Sequence, residues 1–271
     1  MSFWLAFVFC FWQGEDKIWL LDGSTYINNG FIRQPKGSGP RHISVYSMIS
    51  CILKKKKNSR WVADDRLFTI HELDSTLTVQ SPYNDTVIAS VPIFPSNQEG
   101  ANYAAAEILI RTSPQIPEPY IYVSNRNKGL PTTEGDSIGI FKLVNQGQEG
   151  EGLVLIKQVF TGLSQIRSME IGNPANGGDQ FLIAGAASGD GGVAVFRRTE
   201  GGGDLELVAR NREVPNRTAF VFVWYSHWKF HEPLVKSGRW DDISWDKASY
   251  NLTECLTLST SWNWLATWLI K

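Results

Sequence analysis

The chain has 271 residues, enough for one or two domains, and its 42% hydrophobic content is ample for a buried core. With 26 basic and 27 acidic residues the formal net charge is -1, so no global field favours nucleic acid or an anionic membrane, and any anion recognition must be local. Three well-separated cysteines, Cys10, Cys51 and Cys255, have no metal-type spacing, and the odd count fits a reducing, cytoplasmic setting better than a disulfide framework.

Residues 1–11 are apolar but lack a basic flank and a small-residue cleavage site, and are too short to span a bilayer; residues 1–13 are set aside as an unmatched segment. Gly14-Glu15-Asp16 reads as a turn, Lys17-Ile18-Trp19-Leu20-Leu21 as a short strand, and Asp22-Gly23 and Asn28-Asn29-Gly30 as further turns. A Gly/Pro-rich loop over residues 34–40 then leads into Arg41-His42-Ile43-Ser44-Val45, a strand entered directly after Gly39-Pro40.

Residues 46–62, with the run Lys54-Lys55-Lys56-Lys57, show neither strand alternation nor turn logic. Without them, strand 41–45 meets Leu67-Phe68-Thr69-Ile70 through a tight polar turn. The segment therefore reads as an insertion, either a solvated loop or translated non-coding sequence.

From Leu67 onward a unit recurs: a leading strand, an apolar strand, a polar turn and a second alternating strand. Val79, Ile140 and Val195 hold matching places 61 and 55 residues apart, which predicts one four-stranded sheet per repeat and a β-propeller for several in series. Sustained helical periodicity is missing, which removes Rossmann-type and TIM-barrel folds. After residue 223 the texture changes, and residues 224–271 carry seven of the eleven tryptophans. That part reads as an extension of uncertain structure, either a partner-binding segment or an aberrant tail.

Gly39-Pro40-Arg41-His42, followed by His71-Glu72-Leu73-Asp74-Ser75-Thr76-Leu77-Thr78-Val79, resembles the seven-bladed β-propeller lactonase family, which groups 6-phosphogluconolactonases with fungal 3-carboxy-cis,cis-muconate lactonising enzymes. Ala105-Ala106-Glu107-Ile108, Tyr122-Val123-Ser124-Asn125-Arg126 with Asp136-Ser137-Ile138, and Gly192-Val193-Ala194-Val195-Phe196 extend the match over 14–45 and 63–223. The resemblance implies an all-β, partial, nominally seven-bladed propeller with three to four blades present over 14–223. Family members carry further blades before the point matching Gly14, so sheet edges stay open to self-association.

It also implies a site. Lactone hydrolysis needs a base for water and cations for the oxyanion, and a phosphorylated or carboxylated substrate needs a cationic clamp. By resemblance Arg41 and Arg126 are the clamp and Glu72 moves the proton, with His42 adjacent in the same motif. Glu107 is a second candidate base, and Glu107, Asn125, Arg167 and His71 are expected substrate contacts. Against these stand plainer roles: blade-to-blade pairing for Arg41 and Arg167, structural hydrogen bonding for His42 and His71, a solvated strand-end acid for Glu72, and a pairing with Arg126 for Glu107.

The expected substrate is a small anionic lactone, with a carboxymuconate cycloisomerase as the enzymic alternative and a non-catalytic binding remnant as the alternative of another class. No cofactor and no metal are expected. His227 and His231 stand four apart without a third ligand, Gly201-Gly202-Gly203 lacks the Lys-Ser/Thr of a phosphate loop, and a Gly-x-Ser-x-Gly elbow is missing.

Overall fold

A computed structural model describes residues 7–12, 14–46, 65–82, 85–96, 98, 102–130, 132–189 and 192–214. The chain divides into two compact units, Met1–Ser226 and His227–Lys271. The second, and with it the tryptophan-rich stretch and the His227/His231 pair, lies outside the described residues.

The described residues form four antiparallel sheets in series. Sheet 1 holds β1 (Phe7–Trp12), β2 (Lys17–Asp22) and β3 (Asn28–Arg33). Sheet 2 holds β4 (Pro40–Tyr46), β5 (Arg66–His71), β6 (Thr76–Gln80) and β7 (Val87–Pro92). Sheet 3 holds β8 (Tyr103–Ile110), β9 (Ile121–Asn127), β10 (Ser137–Val144) and β11 (Gly152–Phe160). Sheet 4 holds β12 (Ser164–Ile171), β13 (Phe181–Ser188), β14 (Val193–Thr199) and β15 (Asp204–Asn211). Each sheet is a meander with strands in chain order, and the last strand of one leads to the first strand of the next. Two short 3-10 segments, Ala175–Gln180 and Glu200–Gly202, are the helical turns among the described residues. The fold is all-β, a partial β-propeller.

The core lies between consecutive sheets, and strand alternation explains how. On β9, Ile121 and Val123 turn toward sheet 2, where they meet Phe68, Ile70, Leu77 and Val79. Tyr122 between them turns toward sheet 4 and meets Leu182 and Phe196. On β10, Ile138 and Ile140 join the sheet 4 side while Phe141 joins the sheet 2 side. A sheet covered on both faces has no solvent face, so β5 and β6 are buried along almost their whole length. Each large side chain so placed contributes about 1.5–3 kcal/mol. Gly139 fits this packing, because a Cβ there would come within 2.7 Å of the Phe141 ring. Phe141→Ala would leave a void between sheets 2 and 3 costing about 3–5 kcal/mol.

Two expectations change. Residues 7–12, set aside with the unmatched segment 1–13, pair in continuous antiparallel register with β2, Phe7 opposite Asp22 and Trp12 opposite Lys17. Their apolar run has no alternation to mark it as a strand. Asn28-Asn29-Gly30, read as a turn, instead opens β3. The reversal occurs just before it, where the Asp22 carboxylate accepts the backbone N–H groups of Ser24 at 3.0 Å and Thr25 at 2.8 Å.

The proposed insertion lies, Tyr46 apart, outside the described residues. Its flanks do not: β4 and β5 pair without a break from His42 opposite Ile70 up to Tyr46 opposite Arg66. Strand 41–45 and strand 67–70 are therefore hairpin partners across it.

Candidate active site

The first strands of sheets 2, 3 and 4 lie side by side, β4 against β8 and β8 against β12. Each is bulged at a corresponding level. In β4, Pro40 pairs with His71 and His42 with Ile70, leaving Arg41 extra. In β8, Ala106 and Glu107 intervene between Ala105, opposite Asn125, and Ile108, opposite Val123. In β12, Arg167 is extra between Ile166 and Ser168. A bulge breaks the two-residue alternation and re-aims side chains. Here it turns polar groups from three strands toward one place in an otherwise apolar interior.

Glu72, the first residue beyond β5, holds that place together. Its Oε2 accepts from Arg41 Nη1 at 2.5 Å and its Oε1 accepts from Arg126 Nη2. The Arg41 Nε–H donates to the Ala106 carbonyl at 3.0 Å, and Arg126 Nη2 also reaches the Ala105 carbonyl at 3.3 Å. Backbone bonds fix Glu72 in turn: its N–H donates to Gly39 O at 2.8 Å, and that of Leu73 to Ser38 O at 3.0 Å. Beside this triad, His42 Nδ1 lies 2.7 Å from Glu107 Oε1. The side chains of Arg41, Glu72 and Glu107 are about one-fifth exposed and that of His42 36%, whereas Arg126 is 4% exposed. The rim of the site can therefore meet a solute while its floor cannot.

Burial raises the Glu72 carboxyl pKa, but the hydrogen bonds and charges of Arg41 and Arg126 outweigh it, and the net displacement is below the usual glutamate value. A carboxylate held by two guanidinium groups is a weak base. Burial opposes the Arg126 charge, which Glu72 supports. Asp136, at the end of the turn before β10, is buried and raised to about 6 by loss of solvent, against the backbone N–H groups of Asn127 and Ile166 and the Arg126 charge.

Arg41, His42, Glu72, Glu107 and Arg126 thus come together, and Arg167 is exposed on β12, where its charge bears on Arg126. His71 and Asn125 do not join them. His71 is fully buried, with Nε2 at 3.0 Å from Gln34 Oε1 and Nδ1 at 3.2 Å from Thr76 Oγ1, and burial lowers its pKa to about 4. Asn125 is fully buried on the opposite side of β9 from Arg126, its amide nitrogen 3.5 Å from Ser137 Oγ. The expected substrate contact by these two is corrected on that geometry. Glu107, whose plainer role was a partner for Arg126, pairs with His42 instead.

Ser124 and Asp136 belong to the site's support and were not singled out as site residues. Ser124 Oγ accepts the Glu107 N–H at 2.9 Å and donates to Ile166 O at 3.4 Å, tying the β8 bulge to the β12 bulge. Asp136 accepts the N–H of Asn127 at 2.9 Å and of Ile166 at 2.7 Å. Both stand in quoted motifs, flanking Arg126 and preceding Ser137, and nearness to those motifs is the signal that could have found them. Among the described residues no group of three His, Cys, Asp or Glu side chains could hold a metal ion.

The decisive comparison is with a family model, the seven-bladed β-propeller lactonases, which matches residues 6–222. The chain belongs to the lactonase family. The match takes in β1 and stops close to where the tryptophan-rich part begins. An uncharacterized protein of Staphylococcus saprophyticus is 26% identical over 190 residues, covering 69% of this chain and 45% of its own. Among solved structures, a candidate 6-phosphogluconolactonase of Bacteroides fragilis is 18% identical with a TM-score of 0.53, covering 78% of this chain and 52% of its own. Another, from Bacteroides uniformis, is 21% identical with a TM-score of 0.51, covering 74% and 50%. The periplasmic gluconolactonase of Pseudomonas aeruginosa is 16% identical with a TM-score of 0.51, covering 73% and 48%. These structures are alike in fold. The chain spans about half the length of the relatives it matches.

Proposed function

We propose that the chain carries a lactone-hydrolysing site whose substrate is a small anionic sugar-acid lactone. The observation that supports it most is the meeting of a carboxylate–imidazole pair, Glu107 with His42, and a guanidinium pair, Arg41 with Arg126 on Glu72, contributed by separate strands. Family membership and the 6-phosphogluconolactonase and gluconolactonase names of the structural neighbours point the same way.

In this reading Glu72 organises the site and the proton moves through His42. His42 takes a proton from water as the water oxygen bonds to the lactone carbonyl carbon, and Glu107 stabilises the imidazolium that forms. The Arg41 Nε and Nη1 groups are committed to Ala106 and Glu72, so its Nη2 is the group that faces the developing oxyanion. The intermediate then collapses: the ring C–O bond breaks and the leaving ring oxygen recovers the proton from His42. Water and lactone become one open hydroxy acid.

Acid release from 6-phosphoglucono-δ-lactone by the purified chain tests this. The expected result is turnover that falls about 100-fold or more in kcat in His42→Asn with an unchanged circular dichroism spectrum. A parent without turnover, or a His42→Asn variant as fast as the parent, overturns the reading.

A further inference from the structure

The charged cluster is built from sheets 2 and 3, yet its backbone footing runs into sheet 1. Asp16, in the turn between β1 and β2, reaches the loop that precedes β4: its Oδ2 accepts the Gly37 N–H at 2.6 Å and its Oδ1 the Gly39 N–H at 3.0 Å. Its own carbonyl accepts the Gln34 N–H at 2.9 Å, where that loop begins. Gly37 and Gly39 have φ of 78° and 63°, a left-handed backbone that glycine adopts without strain, and this turns alternate N–H groups of the loop onto one carboxylate. Gly39 is thereby held on both sides, its N–H by Asp16 and its carbonyl by the Glu72 N–H at 2.8 Å, while the Ser38 carbonyl takes the Leu73 N–H at 3.0 Å. Two residues beyond Gly39 stands Arg41, whose Nη1 meets Glu72 Oε2 at 2.5 Å. The short loop 37–39 therefore sets both members of that ion pair, and its anchor is a carboxylate from the neighbouring sheet.

A hydrogen bond to a carboxylate is roughly twice as strong as a neutral one, and two of them on one side chain fix orientation as well as place. We infer that Asp16 is a positioning residue for the site: it fixes the backbone that carries Arg41 and Glu72, and so the aim of Arg41 Nη2 at the developing oxyanion. Sheet 1 then belongs to the working site, although the reaction as written above takes no reacting group from it. The effect on rate rests on that hydrolytic reading, whereas the effect on the backbone rests on the hydrogen bonds alone.

Amide hydrogen exchange followed by NMR, with lactone kinetics beside it, tests this on the full chain with Asp16→Ala, Asp16→Asn and Asp22→Ala. Asp22 is the control, because it holds the other turn of sheet 1 and serves Ser24 and Thr25. In Asp16→Ala, exchange at Gly39, Glu72 and Leu73 should quicken about tenfold or more while amides of β9 and β10 keep the parental rate. With 6-phosphoglucono-δ-lactone, kcat should fall about tenfold and KM stay nearly unchanged, because a misaimed oxyanion donor is felt in the transition state. Asp16→Asn, which keeps one acceptor oxygen, should recover part of both, and Asp22→Ala should match the parent. Parental exchange at Glu72 and Leu73 in Asp16→Ala overturns the inference, as does faster exchange there with an unchanged kcat in an active parent. The same losses in Asp22→Ala also overturn it, since they mark a general loosening of sheet 1. If Asp16→Ala does not fold, Asp16→Asn decides the matter by the same exchange at Glu72 and Leu73. A parent without lactone turnover, in which the Asp16 variants still quicken exchange at Glu72 and Leu73, sinks the hydrolytic reading and leaves the positioning of Arg41 and Glu72 by Asp16 standing.

Discussion

His71 and Glu72 are consecutive residues that belong to two different polar regions. His71 ends β5 inside sheet 2, itself fully buried, in a lattice whose near members, Gln34, half-buried Thr76 and Gln80, are neutral amides and a hydroxyl. Glu72, one step beyond the strand, sits in the charged cluster of Arg41, Arg126, His42 and Glu107. The neutral lattice is closed to solvent except at Thr76, whereas the charged cluster keeps a rim of several charged groups open. Buried polarity satisfied by neutral partners serves the fold, and polarity satisfied by opposed charges at a partly open edge serves chemistry.

The harshest way to break this contrast is Glu72→Gln. It leaves Arg41 and the buried Arg126 without a counter-charge while almost preserving shape, so kcat/KM for a lactone should fall about 100-fold or more and stability by about 2–4 kcal/mol. Urea unfolding and initial rates measure the two together. A variant with parental stability and activity would mean that the guanidinium pair does not depend on Glu72.

Acid titration comes next, because two buried groups, His71 in the lattice and Asp136 beneath the charged cluster, respond to it in opposite senses. His71 has a folded pKa near 4, below the ordinary histidine value of about 6.5. Its unfolded form gains a proton first, so its contribution is complete above about pH 6.5 and is lost as pH falls toward 4. Asp136, raised to about 6, is the reverse: the folded form holds the proton between about pH 4 and 6, so stability rises as pH falls through that window. Each amounts to about 3 kcal/mol, and the two largely offset one another in the parent. Relative to the parent, His71→Gln should gain stability between pH 7 and 4.5 and Asp136→Asn should lose it. Parallel pH profiles for all three proteins would refute both assignments.

How much of this was legible beforehand follows from the same contrast. The recurring strand pairs around Val79, Ile140 and Val195 were visible because β6, β10 and β14 carry apolar residues at fixed offsets, and the sheets stand where that recurrence put them. The triad of Arg41, Glu72 and Arg126 came from the resemblance, and their adjacency is a property of the fold that no spacing in the chain expresses. The bulges were not legible. Ala104-Ala105-Ala106-Glu107 carries no mark of where one residue of β9 faces two of β8, and that count puts Glu107 beside His42. Asn125 and His71 misled because a motif names consecutive residues, whereas a strand sends alternate ones to opposite faces.

A smaller test falls within the charged cluster. Glu107→Gln keeps a hydrogen-bond partner for His42 Nδ1 but removes the charge that stabilises an imidazolium, so kcat should fall about tenfold with KM and stability nearly unchanged. If Glu107 were only a structural acid, kcat would not move.

The smallest effect is expected in the neutral lattice, and it turns on where one proton sits. Gln34 Nε2 donates to Arg33 O and to Gln80 Oε1, both at 2.9 Å, and a backbone carbonyl can only accept, so the Gln34 amide is oriented with Oε1 toward His71. His71 Nε2 must then carry the hydrogen. With the imidazole kept neutral by burial, Nδ1 is an acceptor and needs the single hydroxyl hydrogen of Thr76, for which exposed Asp74 Oδ1, 2.8 Å away, competes. Water can serve Asp74 but not Nδ1, so the hydroxyl hydrogen belongs with the histidine at neutral pH. Thr76→Val, which removes that donor with little change of shape, should cost about 1 kcal/mol in urea unfolding. Nitrogen-15 NMR of the parent should show His71 protonated at Nε2 alone; a hydrogen on Nδ1 instead would reverse the Gln34 amide and undo the argument that this lattice is satisfied without charge.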